Sequence, residues 1–199
     1  MKLKTLSSEK AVFRKNITRF VPVWAIYCVF LLISLMTIRD SNVVWRAYRL
    51  ADFGSLMCFV NGVYGLVCAL TLFGDLFNSR MCNAIHALPL RRESWFFTHL
   101  VSGLLFSIVP NLLISLSFMP RLGVYWYVAF VWVGGMTATY LFFFGVAVLS
   151  AMCTGSRFAM TLVYGLINFL SILAMWIVQY LYEPLLYGVE INLMPFVFL

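Results

Sequence analysis

Residues Tyr125–Ala151 read YWYVAFVWVGGMTATYLFFFGVAVLSA, with no Asp, Glu, Lys or Arg anywhere in the run. As an α-helix this stretch reaches about 40 Å at 1.5 Å per residue, enough to cross the roughly 30 Å hydrocarbon layer of a bilayer. As a strand it fails twice: it is continuously apolar rather than alternating, and an open strand leaves its backbone polar groups unsatisfied in lipid. Four further runs have the same character: Phe20–Ile38, Phe53–Phe73, Trp95–Phe118 and Phe158–Leu181. The expected fold is therefore all-α, a polytopic helical membrane protein. Residues 1–19 form an N-terminal amphipathic segment, 20–181 a five-helix transmembrane domain containing the loop 74–94, and 182–199 a segment beyond the last span.

Composition supports the same class. Hydrophobic residues make up 63% of the 199 residues and charged residues only 11%, and mean hydropathy is +0.96; soluble domains carry about 25% charged residues. The net charge of +7 does not point to nucleic acid, because its placement along the chain explains it. With the N-terminus in the cytoplasm, the inner segments hold Lys2, Lys4, Lys10, Arg14, Lys15, Arg19, Arg80, Arg91, Arg92 and Arg157. The outer segments hold only Arg39, Arg46, Arg49 and Arg121. This is the positive-inside distribution, and it predicts a multi-pass protein of the cell membrane with its N-terminus, the 74–94 loop and the Cys153–Arg157 turn in the cytoplasm. No small-residue cleavage site follows the first apolar run, so no cleavable signal is predicted. Cys28, Cys58, Cys68, Cys82 and Cys153 lie singly in or beside the apolar runs, without CxxC or metal-type spacing, and read as reduced, packed thiols.

Between the second and third runs lies DLFNSRMCNAIHALPLRRES, Asp75–Ser94. Met81, Ile85 and Leu88 recur at i, i+4, i+7, the spacing of one helix face, and Pro89 ends such a helix because it lacks an N–H donor. The pattern fits a short helix lying flat at the membrane face and able to pass movement from a soluble partner to the spans. It equally fits a surface connector with basic anchors. Upstream, AVFRKNITRF (Ala11–Phe20) mixes Val12, Phe13, Ile17 and Phe20 with Arg14, Lys15 and Arg19. It reads as an interfacial helix with its bases among headgroups, or as a simple topology anchor; Pro22 is placed for a bend into the first span.

Within the spans no Asp, Glu, Lys or Arg sits near mid-membrane, where a charge would mark an ion or proton pathway. Asn61, Asn111, Asn168 and Gln179 are the polar residues there, and each reads as an interhelical hydrogen-bond former. His99 reads as an interfacial histidine. The small-residue pairs Gly103/Ser107, Gly134/Ala138 and Ala147/Ala151 permit close helix approach, and Tyr125-Trp126-Tyr127 fits an interfacial aromatic belt. The sequence holds no G-x-x-x-x-G-K-[ST] phosphate loop, and not even a Gly-Lys dipeptide. It has no HExxH zinc arrangement. With only His86 and His99 available, a Ser–His hydrolase is unsupported. No catalytic, cofactor-binding or metal-ligating residue is predicted, and the chain is expected not to be an enzyme.

The loop Arg80-Met81-Cys82-Asn83-Ala84-Ile85-His86, followed by Ala87-Leu88-Pro89-Leu90-Arg91-Arg92-Glu93-Ser94, resembles the coupling helix and Leu-Pro-x-x-Arg turn of a known family. So does the basic opening Phe13-Arg14-Lys15-Asn16-Ile17-Thr18-Arg19-Phe20, which is similar to an elbow helix leading into the first span. Both occur in permease subunits of bacterial ATP-binding-cassette transporters of the type-2 exporter class. The resemblance implies an export permease driven by a separate cytosolic ATPase, which would bind the ATP and magnesium; this chain would bind no cofactor. Arg80, Met81, Asn83, Ala84, Ile85, His86 and Leu88 would contact the ATPase, while Arg14, Lys15, Arg19, Arg91 and Arg92 would anchor the interface. A second permease subunit and the lipid bilayer would be the other partners, and nucleic acid would not be one. The family has six spans where this sequence shows five. Glu183, Pro184, Glu190 and Pro195 make 182–199 a poor sixth span, so the resemblance implies a fragment of a larger permease entering an extracellular or re-entrant segment. A five-span membrane docking, assembly or sensory protein is the alternative.

Overall fold

The computed structural model describes residues 2–38, 43–78, 92–123 and 125–185. They form five long helices: α1 (Lys2–Thr37), α2 (Val43–Phe73), α3 (Arg92–Leu122), α4 (Trp126–Cys153) and α5 (Arg157–Leu185). A short 3-10 turn, Gly74–Phe77, closes α2. All five helices contain a segment long and apolar enough to cross a membrane: Phe20–Thr37, Asp52–Phe77, Glu93–Phe118, Trp126–Cys153 and Arg157–Leu181. These bounds lie within a few residues of the apolar runs read from sequence, and no strand occurs among the described residues.

Local chemistry sets several of the ends. Gly123 follows α3 with φ of 61°, the left-handed conformation that stops a helix at little cost for glycine, and its N–H donates to the Pro120 carbonyl at 3.2 Å. α5 starts behind Ser156, whose Oγ accepts from the Ala159 N–H at 3.2 Å, an N-cap bond to one of the orphan amides of the first turn. The basic N-terminal segment is helical as expected, but it is not set off from the first span: α1 continues through Pro22. Pro22 removes only the single bond to the Thr18 carbonyl, and no other helix breaker lies beside it. At the far end α5 continues past Leu181 through Pro184 to Leu185; 186–199 lie outside the described residues.

Cross-helix contacts fix the directions. α2 packs most extensively on α4 and α1 on α3, so the largest interfaces join helices two apart in the chain. Asn61 meets Met136 and Thr139, and a Cβ on Gly65 would lie 3.1 Å from the Phe144 backbone; α2 and α4 therefore run parallel. Phe73 meets Trp95 and Phe96, whereas Tyr64 meets Phe106, so α2 and α3 are antiparallel. This up-and-down arrangement places the end of α2, the start of α3 and the 154–156 turn at one end of the bundle, together with the part of α1 preceding Phe20. Ile38, the start of α2, Gly123 and Tyr125 lie at the other end.

α2 is the centre of the bundle and α5 its margin: 56% of the residues in the α2 span are buried against 6% in the α5 span. α5 touches the rest mainly through Met160 and Tyr164, while Phe158, Leu162, Leu166, Phe169, Trp176 and Tyr180 are exposed. In a bilayer these side chains face acyl chains, which are as apolar as they are.

Candidate functional site

Two regions concentrate polar chemistry. The first is a buried network at mid-span. Tyr27 Oη donates to Asn61 Oδ1 at 3.0 Å. The Asn61 amide in turn donates to Thr139 Oγ1 at 3.0 Å and to the Met136 carbonyl at 3.3 Å. One layer along, the Asn111 amide donates to Thr137 Oγ1 at 3.3 Å and to the Val133 carbonyl at 3.4 Å, while Ser115 Oγ donates to Asn111 Oδ1 at 3.2 Å. The two amides use one device: each bridges a threonine hydroxyl on α4 and the carbonyl that the same threonine already bonds. α2 and α3 are both tied to α4 in this way. Asn61 and Asn111 are 0% and 1% exposed, so they hold helices together and line no open path.

Three tyrosines extend the network to backbone carbonyls of neighbouring helices. Tyr64 donates to the Phe106 carbonyl at 3.1 Å, Tyr140 to Gly103 at 2.7 Å and Tyr164 to Gly62 at 2.8 Å. The Tyr64 bond has a specific cause. In a regular helix the Phe106 carbonyl accepts from the amide four residues on, and that residue is Pro110, which has no N–H. The tyrosine supplies the donor that proline removes, as membrane-buried backbone requires. Tyr64 also stacks on Tyr27 with centroids 4.1 Å apart. The close approach that carries the Tyr140 bond needs Gly103: a Cβ there would sit 2.3 Å from Phe144 Cζ.

The second region is a cavity of about 500 Å³ at the end of the bundle where α2 ends and α5 begins. Phe20, Leu70 and Phe158 form its apolar walls, and Asp75 and Arg157 bring opposite charges to it. Arg157 Nη2 donates to the Gly74 carbonyl at 3.5 Å, and its guanidinium lies over Gly74, where a Cβ would come 3.4 Å from Nη2. The hydroxyls in the wall face their own helices as donors: Thr161 Oγ1 to the Arg157 carbonyl at 3.1 Å, and Thr71 Oγ1 to the Val67 and Cys68 carbonyls at 2.9 Å. Their oxygen lone pairs remain for a guest.

Of the residues predicted to contact a partner, Arg80, Met81, Asn83, Ala84, Ile85, His86 and Leu88 lie outside the described residues, as does the anchor Arg91. Arg14 is exposed on α1, which also carries Lys15 and Arg19, and Arg92 opens α3. Asn168 departs from expectation: its amide donates to the Tyr164 carbonyl of its own helix at 2.8 Å, because α5 has few neighbours to bond. His99, seven residues after α3 begins, is 3% exposed, with Nδ1 3.0 Å from the Trp95 carbonyl and its ring 6.0 Å from Phe73. Of the small-residue pairs, Gly103/Ser107 and Ala147/Ala151 are buried, whereas Gly134 and Ala138 face outward. The bonding tyrosines and the cavity were missed. Pro110 beside mid-span tyrosines is a readable signal for the first; nothing in the order of residues brings Asp75 and Arg157 to one cavity. Among the described residues no cluster of metal-ligating side chains occurs. Comparison with protein-family models, curated proteins and solved structures gives no match for this chain.

Proposed function

We propose that the chain is a membrane-embedded permease subunit of the ATP-binding-cassette exporter type, driven by a separate cytosolic ATPase that docks on residues 80–88. The observation that carries the reading is the frame from which the loop hangs. Phe73, fully buried at the end of α2, packs on Trp95, Phe96 and His99 of α3 at centroid separations of 6.2, 5.8 and 6.0 Å. The two helices that receive the loop are clamped together next to it. A push on a short helix joined to such a frame moves both helices as one body, since close-packed interiors transmit displacement with little compression. ATP and magnesium would sit on the partner ATPase, and the export path would form with a second permease subunit in the cell membrane. The +7 charge, with ten of fourteen Lys and Arg on the loop side under this topology, supports a cytoplasmic docking face.

A specific observation favours the second reading, a five-span docking, assembly or sensory protein that transports nothing. The mid-span amides and tyrosines bond one another and the backbone, leaving the interior of this single chain filled. Nucleotide dependence separates the two. The chain is purified from its own membranes with its native flanking sequence, co-purifying proteins are identified by mass spectrometry, and ATP hydrolysis is assayed. The permease reading requires an ATPase that is lost when Met81, Ile85 and Leu88 are changed to Ala; an intact chain without an ATPase leaves the docking reading.

A further inference from the structure

Most of the outward surface of α5 is Phe, Leu, Ile and Trp, as contact with acyl chains requires. One strip of it differs. Thr161, Gly165, Asn168, Ile172, Met175 and Gln179 recur at alternating spacings of four and three residues, and a mean period of about 3.5 residues keeps such a strip turned toward a second helix along its length. Thr161, Gly165 and Ile172 are exposed and the other three half-buried. A Cβ on Gly165 would meet nothing within 4 Å, so the strip opens outward there. Asn168 is the twelfth of the 25 residues of the span, near the middle of the hydrocarbon. Its amide donates to the Tyr164 carbonyl at 2.8 Å and lies beside the Tyr164 hydroxyl, while its Oδ1 accepts no hydrogen bond among the described residues. Between 165 and 181 no side chain bonds another described helix, and Gln179 makes no hydrogen bond among the described residues. Acyl chains hold no donor for an amide oxygen at that depth, and leaving it unmet is costly. The other outward strip with room for close approach, Gly134, Ala138 and Gly145 on α4, carries no hydrogen-bonding side chain.

We propose that this strip of α5 docks on the same strip of a second copy of the chain, about a two-fold axis along the membrane normal. Two copies of one topology have their α5 helices parallel, and a two-fold contact brings equal-numbered residues together. Asn168 then faces Asn168, and Gln179 faces Gln179. A carboxamide both donates and accepts, so the second Nδ2 hydrogen of each Asn168 meets the Oδ1 of the other. Gly165 and Thr161 let the helices come close enough for that exchange. A different subunit would have to carry a matching amide at the same depth; a second copy carries it by identity. The inference rests on the permease reading, which calls for a second subunit, and names the contact that joins the two.

The test is disulfide trapping of the full chain in its own membranes, with the Cys82→Ser, Cys153→Ser chain as the blank. Ile172→Cys in that chain is expected to give a covalent dimer on mild oxidation. Leu170→Cys, on the opposite side of α5 and 58% exposed, and Ala138→Cys stay monomeric. Energy transfer between donor- and acceptor-labelled copies, followed as vesicles are diluted with lipid, reads the association itself. Asn168→Leu is expected to weaken it about tenfold, and Asn168→Gln less. Gly165→Leu weakens it too, by holding the helices apart. The space beside Gly165 is empty, so that variant melts with the parent chain by Trp fluorescence and decides the matter if Asn168→Leu melts early. No trapped dimer at Ile172→Cys, equal trapping at Leu170→Cys or Ala138→Cys, or an association that Asn168→Leu and Gly165→Leu leave unchanged overturns the proposal. Neither readout needs an ATPase. A chain that pairs through this strip but brings no ATPase keeps the interface and removes the permease reading; one that brings its ATPase without trapping at Ile172→Cys removes the interface alone.

Discussion

Changing Tyr64 to Phe removes one oxygen and leaves the ring, with its 4.1 Å stack on Tyr27, in place. What is lost is the 3.1 Å bond to the Phe106 carbonyl. That carbonyl has no helical partner because residue 110 is proline, so the change orphans a buried acceptor. An unsatisfied buried polar group costs about 1–3 kcal/mol, whereas interhelical hydrogen bonds in membrane proteins average about 0.6 and reach about 1.7 kcal/mol. We expect a loss of about 1–2 kcal/mol, the upper part of the membrane range. In a Pro110→Ala background the restored amide satisfies the carbonyl, and the same Tyr64→Phe change costs about 0.6 kcal/mol or less. The coupling of about 1 kcal/mol follows from a double-mutant cycle, read by Trp fluorescence in reversible unfolding by an anionic detergent in mixed micelles. If Tyr64→Phe costs the same in both backgrounds to within about 0.3 kcal/mol, the proline-gap argument is wrong, even though the hydrogen bond itself exists.

Gly103→Ala drives a methyl group into Phe144 and Leu72, both nearly inaccessible; a destabilisation of about 1–3 kcal/mol is expected by the same unfolding assay, and wild-type stability would mean that α3 and α4 are not in this contact. Asn61→Leu keeps the branched four-heavy-atom side chain but breaks the bonds to Tyr27, Thr139 and Met136, for an expected loss of about 2 kcal/mol. Tyr27→Phe added to it should then cost almost nothing; a further full loss would refute the shared bond. In a Cys82→Ser chain, a membrane-impermeant maleimide should modify the exposed Cys153 in inverted vesicles and not in right-side-out ones, with the buried Cys58 and Cys68 reacting only after denaturation. Labelling of Cys153 from outside the cell would reverse the orientation inferred from charge.

The spans were legible because lipid leaves the chain so few options: a run such as Tyr125–Ala151 has to be helical, and α4 occupies Trp126–Cys153. The interhelical duty of Asn61 and Asn111 was legible for the same reason, since an amide has no water to turn to at that depth. Asn168 obeyed a different constraint, being on a helix with little beside it, and burial of that kind is not written in a single residue. α1 runs on through Pro22, because a proline costs a helix one bond and does not by itself end it. The end cavity was illegible for a topological reason: Gly74 and Arg157 stand 83 residues apart, and only the packing of α5 on α2 makes them neighbours.

The parallel pairing of α2 with α4 has a consequence for how the protein is made. Spans emerge from the ribosome in order, and Asn61 must enter the bilayer before its partners Met136 and Thr139, 75 and 78 residues downstream, exist. Tyr27, 34 residues upstream, is already there. The α1–α2 hairpin can therefore shelter the amide with one borrowed hydroxyl until α4 arrives to take the rest, and Tyr27 acts as a placeholder during biogenesis before it is a strut in the finished bundle.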